Sequence, residues 1–405
     1  MNLYESSISL IEDFLENHDT VPKVIDKIKS QTGDGKVAFF PCSRYANMVV
    51  REIKEKHPEL FSQVEGFYDK SREAKSDTGI SVRHISEIKN RSEDISLVVI
   101  CSNTYHEREA AFLKQETGFT GKLLRTSYFD ISLPEQGKDN ILEDIKTVYG
   151  MFSDEKSKAV YMITWLSKAL NDETYTWLFE SETNIEIDGR LTRYKNYQIK
   201  DLGDVCAAEL FSEIYSMKYV YPAKGDQLLD IGGYKGDTAI YFADAVGKNG
   251  KVFVFEPTAS NFNILTDNIN SNDLGHIISP VNKGVSDVCG SMKATSVDSG
   301  APWSFISEDK GNEEVVVTTI DDFVADEGLD KVNFIKMDVE GLEEKVIAGG
   351  RETIRKMKPK LAIPLYHKFS DLTAIPLQVK EYCPQYKFYI RSKMEGPFGV
   401  TMYCI

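Results

Sequence analysis

Residues 227–238 join an apolar run to a cluster of glycines. The run ends on Asp230 and is followed by Gly232, Gly233 and Gly236. A strand that opens into a glycine-rich turn before a helix exposes backbone N–H groups at the positive helix end, where a nucleotide-type ligand can lie. The spacing Asp-x-Gly-x-x-x-Gly-x-Thr, which ends on Thr238, differs from the dinucleotide fingerprint G-x-G-x-x-G. These five residues are therefore predicted to bind a different adenosine ligand, with S-adenosylmethionine as the leading candidate.

Glu256 follows the next predicted strand, Lys251–Phe255. The continuous apolar character of that run is typical of a buried parallel strand. An acidic residue at the end of such a strand, ~20 residues or somewhat more after the glycine turn, can accept both ribose hydroxyls. An NADP enzyme would place a cation there to meet the 2′-phosphate. Taken singly, each residue also fits an ordinary turn or a solvated strand end, but their order together favours a cofactor site that includes Glu256.

A second set of polar residues follows two later strands. In residues 332–344 the buried-strand character ends on Asp338, and His367 follows a predicted strand at residues 361–365. In a doubly wound sheet these strand ends face the crevice in which ligands bind. With a reference pKa of about 6.5, His367 could accept the proton of a hydroxyl at neutral pH. On these residues alone, a catalytic role for His367 and Asp338, with Asp338 also touching the cofactor, and a strand-capping role for His367 are equal alternatives.

Asp338 and Glu340 have two competing uses. Together with His367 they could bind a hard divalent cation such as Mg²⁺, which would hold two vicinal hydroxyls of a substrate and lower the pKa of one. Alternatively, Asp338 orients the cofactor amine or the substrate without a metal, and this metal-free interpretation is favoured. Lys336 lies on the same strand face as Asp338, where it would neutralise the carboxylate, contact the substrate as a catalytic residue or form a buried ion pair.

Length and composition set limits on the function. The chain has 405 residues, long enough for more than one domain, because single cores stop growing near ~250–300 residues. Lys and Arg number 48 against 63 Asp and Glu, a formal net charge of −15. This charge repels phosphate backbones and anionic membrane surfaces, so no nucleic-acid partner is expected.

Targeting and cysteine patterns indicate a cytoplasmic protein. The N-terminal stretch carries acidic residues where a signal peptide needs a basic region, and no later stretch approaches the ~20 apolar residues of a membrane helix. No membrane insertion is therefore expected. The six cysteines are scattered without a C-x-x-C pair, which argues against a zinc site or a disulfide framework. The sequence is compatible with a homo-oligomer.

The elements that position these residues are predicted to form three regions. Residues 1–135 alternate strands and helices, as in a small Rossmann-like α/β domain. Residues 136–220 are predicted to be a mainly helical linker or substrate region, and residues 221–405 a second α/β domain. The first domain has residues 41–45 (PCSRY) where a phosphate-binding loop would need glycine, so NAD binding is not expected there. Its pattern of strands and helices resembles the N-terminal domain with which some sugar-modifying enzymes hold nucleotide-linked sugars, and a role only in packing or dimerisation is the alternative.

The series LLDIGGYKGDT, VFVFEP, VNKGVSD, TTIDDFV, FIKMDVEGLEEKVIAG and KPKLAIPLYHK resembles the FkbM-type family of S-adenosylmethionine-dependent O-methyltransferases. The resemblance covers roughly residues 200–405 and is most distinctive at IKMDVEG. It implies a class I methyltransferase fold, a doubly wound Rossmann-like sheet, and an acceptor hydroxyl on a sugar, glycan or sugar-containing metabolite. The resemblance also favours the catalytic role of His367 and Asp338 over a strand-capping histidine. Many relatives have alanine where this chain has Gly233, which leaves the turn small.

A non-catalytic scaffold that binds a nucleotide-sugar or cofactor is the alternative from another functional class. The glycine turn and the acidic strand ends are both intact, and this favours an enzyme. An NAD-dependent sugar oxidoreductase would need the dinucleotide fingerprint and a Tyr-x-x-x-Lys pair after a strand, and neither is evident.

Overall fold

In the computed structural model of this chain, the residues described are 4–5, 7–11, 21–71, 76–91, 94–101, 106–126, 138–170, 191–202, 213–295, 305–307, 311–393 and 399–405. The chain divides into two compact units. One consists of Met1–Ile131 with Leu166–Thr174, and the other of Ser132–Trp165 with Tyr175–Ile405. Each unit has a parallel or mostly parallel sheet of its own.

The first unit is built on a five-stranded sheet with the order β3-β2-β1-β4-β5 and all neighbours parallel. Its strands are β1 (Lys36–Phe40), β2 (Val64–Asp69), β3 (Val82–His84), β4 (Ile95–Ile100) and β5 (Lys122–Arg125). Its helices are α1 (Val21–Thr32), α2 (Arg44–Lys56), α3 (Pro58–Phe61) and α4 (His106–Thr117), with a 3₁₀ helix at Ile85–Arg91. Alternate residues of β1 enter separate core clusters on the two faces, Val37 and Phe39 on one and Ala38 and Phe40 on the other. The predicted Rossmann-like arrangement is confirmed.

The second unit begins with two helices and a hairpin. The helices are α5 (Lys138–Met151) and α6 (Glu155–Leu170), of which residues 166–170 are grouped with the first unit, and the hairpin pairs β6 (Leu191–Tyr194) with β7 (Tyr197–Lys200). The mainly helical prediction for 136–220 leaves the aromatic-rich residues 193–201 as a break between helices, and the hairpin lies at this break, with buried and exposed residues alternating with a period of two across a tight turn. The helical prediction is wrong for residues 213–220, which form turns around an isolated bridge between Met217 and Val220. Residues 203–212 lie outside the described part.

A seven-stranded sheet with the order β10-β9-β8-β15-β16-β18-β17 forms the centre of the second unit. Its strands are β8 (Gln227–Ile231), β9 (Lys251–Phe255), β10 (Ile278–Val281), β15 (Phe334–Met337), β16 (Lys360–Pro364), β17 (Phe388–Ser392) and β18 (Val400–Cys404). The first five strands run parallel, and β18 is antiparallel to both β16 and β17. The strand order reverses between β8 and β15, which is where ligands bind in open α/β sheets.

Helices connect these strands and cover the sheet. They are α7 (Asp237–Val246), α8 (Ala259–Ser271), α9 (Ile320–Asp326), α10 (Glu343–Ala348), α11 (Arg351–Met357) and α12 (Asp371–Tyr382). Nine of the ten residues of α7 are buried, because this helix packs between the sheet and the hairpin elements in the main core cluster. The predicted doubly wound Rossmann-like fold is confirmed.

A smaller four-stranded sheet precedes β15, with the order β11-β14-β12-β13. Its strands are β11 (Gly284–Val285), β12 (Gly290–Thr295), β13 (Phe305–Ser307) and β14 (Glu313–Thr318). Strand β12 is antiparallel to both β13 and β14. Among the helices that the structure describes, none has both the length and the apolar character needed to cross a lipid bilayer.

Candidate functional site

The turn between β8 and α7 requires glycine at two positions. Gly232 has a φ of +80°, and a Cβ atom there would lie 1.8 Å from the carbonyl oxygen of Asp338. Gly236 is the N-cap residue of α7 and has a φ of +91°. Both angles belong to the left-handed region, which strongly favours glycine. The predicted turn is therefore formed, and its backbone lies directly against the segment that follows β15.

Asp230, Lys336 and Thr238 support this turn from within the sheet. The Thr238 hydroxyl donates a hydrogen bond to Asp230 Oδ2 at 2.7 Å. The Lys336 ammonium donates to the carbonyl oxygen of Gly232 at 2.6 Å and lies 3.2 Å from Asp230 Oδ1. Asp230 and Lys336 meet because they are register partners in β8 and β15. Both side chains are buried and engaged with protein atoms.

Lys336 stays charged in this buried position. Burial alone would lower its pKa, but the carboxylates of Asp230, Asp338 and Asp237 outweigh burial and raise it. Of the three uses predicted for Lys336, the structure shows the buried ion pair. The residue positions the glycine turn, and a catalytic contact between Lys336 and a substrate stays a prediction.

Glu256 lies directly after β9 and is buried beside the turn. Its Oε1 accepts hydrogen bonds from the backbone N–H of Thr258 at 3.0 Å and from the Thr258 hydroxyl at 2.6 Å. Burial raises the pKa of Glu256 to about 7, against the opposing hydrogen bonds from Thr258 and from the backbone N–H of Tyr234 in the glycine-rich turn. Glu256 therefore lies within reach of that turn, and its contact with a ribose stays a prediction.

The chain reverses direction immediately after β15. The backbone N–H of Asp338 donates to the carbonyl oxygen of Ile231 at 2.9 Å, which keeps this segment against the end of β8. Glu340 and Gly341 then have φ angles of +54° and +93°. A non-glycine residue in the left-handed region is uncommon and marks a position held by its surroundings. The turn presents the carboxylates of Asp338 and Glu340 at the same edge of the sheet.

His367, two residues after Leu365, projects between these carboxylates. Its Nε2 lies 3.3 Å from Asp338 Oδ1 and 3.5 Å from Glu340 Oε2. On the other side of the ring, Nδ1 lies 3.0 Å from Glu343 Oε1. The structure therefore brings together the three residues that the sequence analysis took from separate segments.

The carboxylates change the protonation of this cluster. Burial alone would lower the pKa of His367, but Glu343, Asp338 and Glu340 outweigh it and raise that pKa to about 9. Burial and the neighbouring charge of Asp338 raise the pKa of Glu340 to about 7. The surroundings of His367, and not its reference value of about 6.5, thus determine its charge. At neutral pH the imidazole is cationic in the unliganded chain.

The cluster also has the composition of a cation site. The ligand atoms of Asp338, Glu340 and His367 all lie within 4.8 Å of one another, as do those of Glu343, His367 and Asp371. Carboxylate oxygens and an imidazole nitrogen are common ligands of divalent cations.

Two residues of the cluster were missed from the sequence. The Tyr215 hydroxyl donates to Asp338 Oδ2 at 2.5 Å, across a separation of 123 positions that gives no local sign of contact. Glu343 is fully buried, and its Oε1 accepts from the backbone N–H of Val339 at 3.0 Å. The one available indication for Glu343 was its position three residues after Glu340, one helical turn further on.

The order of strands explains how these residues meet. Glu256, the glycine turn, Asp338 and His367 follow β9, β8, β15 and β16, which are consecutive in the sheet. Parallel strands carry their carboxyl ends to one edge, so the four segments lie side by side there. The edge joins a nucleotide-type turn to a cluster that can exchange protons.

Comparison with known proteins identifies the region that contains this edge. Residues 230–385 match the sequence profile described as the methyltransferase FkbM domain. A search of curated protein sequences finds no significant match.

Similarity to solved structures extends beyond that region. The crystal structure of methyltransferase FkbM from Methylobacillus flagellatus KT covers 99% of this chain and 99% of its own, with a TM-score of 0.61 and 15% sequence identity. At this identity the likeness shows a shared fold. The Aeropyrum pernix fibrillarin structure with natively bound S-adenosyl-L-methionine covers 48% of this chain and 72% of its own, at 11% identity. Its TM-score of 0.32 is too low to support an argument about this chain.

Proposed function

Because residues 230–385 belong to the FkbM methyltransferase family, we propose that this chain transfers the methyl group of S-adenosylmethionine to a hydroxyl of a sugar, glycan or sugar-containing metabolite. The proposal places the activity in residues 221–405 and in the cytoplasm. Methyl transfer follows from the family, and the donor, the oxygen acceptor and the class of acceptor are the proposed parts.

One observation carries the proposal. The backbone of Gly232 lies so close to the carbonyl of Asp338 that no Cβ atom fits between them. The nucleotide-type turn and the proton-exchanging cluster are therefore in direct contact. Methyl transfer to an alcohol needs a bound donor, an aligned oxygen and a proton acceptor within a few ångströms of one another.

The donor site has residues that fit S-adenosylmethionine. The glycine turn would lie along the cofactor, and the carboxylate of Glu256 would accept hydrogen bonds from the ribose hydroxyls. When bound, the cofactor supplies an electrophilic methyl group on a positively charged sulfur. The acidic side chains of Asp237 and Asp338 favour positive charge at this edge of the sheet. Asp230, Lys336 and Thr238 hold the turn in place.

The acceptor hydroxyl would lie beside Asp338 and His367. Its proton would pass to the carboxylate–imidazole cluster, whose members titrate as a coupled unit. The pKa values of Glu340, about 7, and His367, about 9, leave the cluster able to accept one proton just above neutral pH. In this scheme Asp338 orients the hydroxyl and Glu340 accepts the proton near neutral pH, while the cationic His367 balances the negative charge and accepts a proton itself only above its pKa of about 9.

A transfer assay tests the proposal. The full chain is incubated with methyl-labelled S-adenosylmethionine and a panel of nucleotide-sugars and glycans, each with Mg²⁺ and with chelator. We expect label in a sugar hydroxyl, strongly reduced by Asp338→Asn and unchanged by Glu327→Ala at an exposed position of the same unit. Calorimetry on the wild type accompanies the assay. Failure to bind S-adenosylmethionine, or tighter binding of NAD, would contradict the proposed function.

A further inference from the structure

The cluster around His367 carries an excess of negative charge. Three carboxylates face one imidazole: Asp338 and Glu340 lie 3.3 Å and 3.5 Å from Nε2, and Glu343 lies 3.0 Å from Nδ1. The ammonium group of Lys336 is already occupied by the glycine turn. Even a protonated imidazole leaves the cluster with more negative than positive charge, which is costly in a buried position.

A second observation concerns two polar atoms of the cluster. The His367 side chain is only 9% exposed, and it is directed between Asp338 and Glu340. Within the described part of the chain, neither His367 Nε2 nor Asp338 Oδ1 has a hydrogen-bond partner. Their approach to 3.3 Å is an electrostatic contact without a well-formed hydrogen bond, and one cation bound to both atoms would satisfy them better.

Neighbouring residues hold both atoms in the orientation that a cation needs. Glu343 lies 3.0 Å from His367 Nδ1, which leaves Nε2 directed at the carboxylates. The Tyr215 hydroxyl occupies Asp338 Oδ2 and leaves Oδ1 free. A carboxylate on the far nitrogen of a histidine is the usual support for a metal-binding imidazole.

We propose that Asp338 Oδ1, Glu340 Oε2 and His367 Nε2 bind one divalent cation, Mg²⁺ or Mn²⁺. These atoms lie within 4.8 Å of one another, and two carboxylates with one imidazole suit such an ion. Three protein ligands leave coordination positions for water or for two vicinal hydroxyls. With the ion bound, Glu340 and His367 act as ligands and carry no proton on their ligating atoms, so their proton-holding role belongs to the metal-free site. Cation binding itself goes beyond the proposed function, and only its use in holding acceptor hydroxyls rests on that function.

A second group, Glu343, His367 and Asp371, is less suited to an ion. Glu343 is fully buried and holds the backbone N–H of Val339. Asp371 Oδ2 accepts from the backbone N–H of Lys368 at 2.6 Å. These carboxylates are therefore used by the fold, and the open side of His367 is the one that faces Asp338.

The test uses Mn²⁺ alone, added to the full chain after removal of metal with a chelator, and free Mn²⁺ is measured by electron paramagnetic resonance. We expect one equivalent to bind and Mg²⁺ to compete for it. Glu340→Gln should weaken binding at least tenfold. Glu344→Gln, a neutralised acid four positions away, should bind like the wild type.

Three results would overturn the proposal: no saturable binding of Mn²⁺, wild-type binding by Glu340→Gln, or loss of binding in Asp371→Asn with Glu340→Gln unaffected. Thermal unfolding without metal checks that each variant folds. If Glu340→Gln does not fold, Glu340→Asp, which keeps the charge but shortens its reach, must weaken binding instead. The Mn²⁺ titration contains neither methyl donor nor acceptor. A chain that binds Mn²⁺ but transfers no methyl group would therefore keep the cation site and lose the proposed function. A chain that transfers the methyl group but binds no Mn²⁺ would be a metal-free methyltransferase.

Discussion

The two units end their central strands in opposite ways. In the first unit Ser43 follows β1, and its hydroxyl accepts from the backbone N–H of Ala46 at 3.1 Å and donates to the carbonyl of Cys101 at 2.7 Å. The start of α2 is thereby capped by the protein's own side chain. In the second unit the N-cap of α7 is Gly236, which has no side chain for this purpose. One helix end is closed and the other is left open to a ligand.

The acidic residues at the carboxyl ends of the strands also differ between the two units: among the residues that the structure describes, one is fully hydrogen-bonded within the protein and the other is not. Asp69, at the end of β2, accepts hydrogen bonds from the backbone N–H groups of Cys42 and Ser71, both at 2.9 Å. Asp338, after β15, keeps one oxygen without a hydrogen-bond partner in the described part of the chain. Similar sheets therefore carry different sites, because residue chemistry at the strand ends, and not the fold, makes an edge reactive.

The largest effect on stability and cofactor binding should come from Gly232→Ala, which fills the space at the glycine turn of the second unit. The added Cβ would lie 1.8 Å from the carbonyl oxygen of Asp338, at a φ of +80°. We expect a loss of roughly 3 kcal/mol or more of stability, and loss of cofactor binding. Gly328→Ala is the matched control, since it shares a positive φ of +60° with nothing within 4 Å. Calorimetric melting measures the stability of the two variants. Equal stability would contradict the close approach of the Gly232 backbone to the Asp338 carbonyl.

The second-largest effect should be the loss of turnover when the imidazole of His367 is removed. We expect His367→Ala to lower turnover by ~10²–10⁴-fold, as for loss of a proton-handling group, while S-adenosylmethionine affinity stays nearly unchanged. Asp338→Asn should reduce both, because Asp338 lies on the cofactor side as well. His276→Ala, at an exposed position, serves as control. Full turnover by His367→Ala on the true acceptor would return this histidine to a structural role.

Cofactor affinity should respond to Glu256. We expect Glu256→Ala to weaken S-adenosylmethionine binding by roughly 10–100-fold, since each charge-assisted hydrogen bond contributes about 1.5–3 kcal/mol. Glu327→Ala should bind normally. Titration calorimetry of the full chain gives both values. Unchanged affinity in Glu256→Ala would remove the ribose assignment, and NAD binding to the wild type would break the predicted difference between the two edges.

Stability should fall with rising pH in the metal-free protein. The pKa of His367 in the folded chain, about 9, exceeds its reference value of 6.5. Its contribution to stability is therefore complete below pH 6.5 and is lost as the pH rises through about 9. Glu340, raised from 4.5 to about 7, acts in the same direction at lower pH. We expect the melting temperature of the wild type to fall between pH 6.5 and 9 more than that of His367→Gln. Parallel curves would show that His367 does not titrate this way.

The smallest effect on stability should come from removing the side-chain cap of α2 in the first unit. Ser43→Ala removes the N-cap of α2, and we expect it to cost about 1 kcal/mol of the first unit's stability. Chemical unfolding followed by a probe in that unit measures the change. S-adenosylmethionine affinity serves as the internal control and should not move. A loss of affinity in Ser43→Ala would show that the two edges do not act separately.

Local patterns predicted much of the fold. The bounds of β1 and β9 match the apolar runs at Lys36–Phe40 and Lys251–Phe255, because a buried strand shows itself in its own residues. The helical prediction failed at residues 213–220, which form turns around the bridge between Met217 and Val220, while the hairpin of β6 and β7 lies at the predicted break between helices. The division into domains at residues 135 and 220 stays a prediction.

The sequence by itself determined the glycine turn, the acidic strand ends and the histidine after β16, since each depends on residue types at short spacing. Only the tertiary structure decided that Lys336 donates a hydrogen bond to the glycine turn, that Tyr215 donates one to Asp338, and that Glu343 contacts Nδ1 of His367. It also decided the raised pKa of His367. Charge interactions and desolvation depend on distance and burial in space, and contacts such as the hydrogen bond from Tyr215 to Asp338 join residues 123 positions apart.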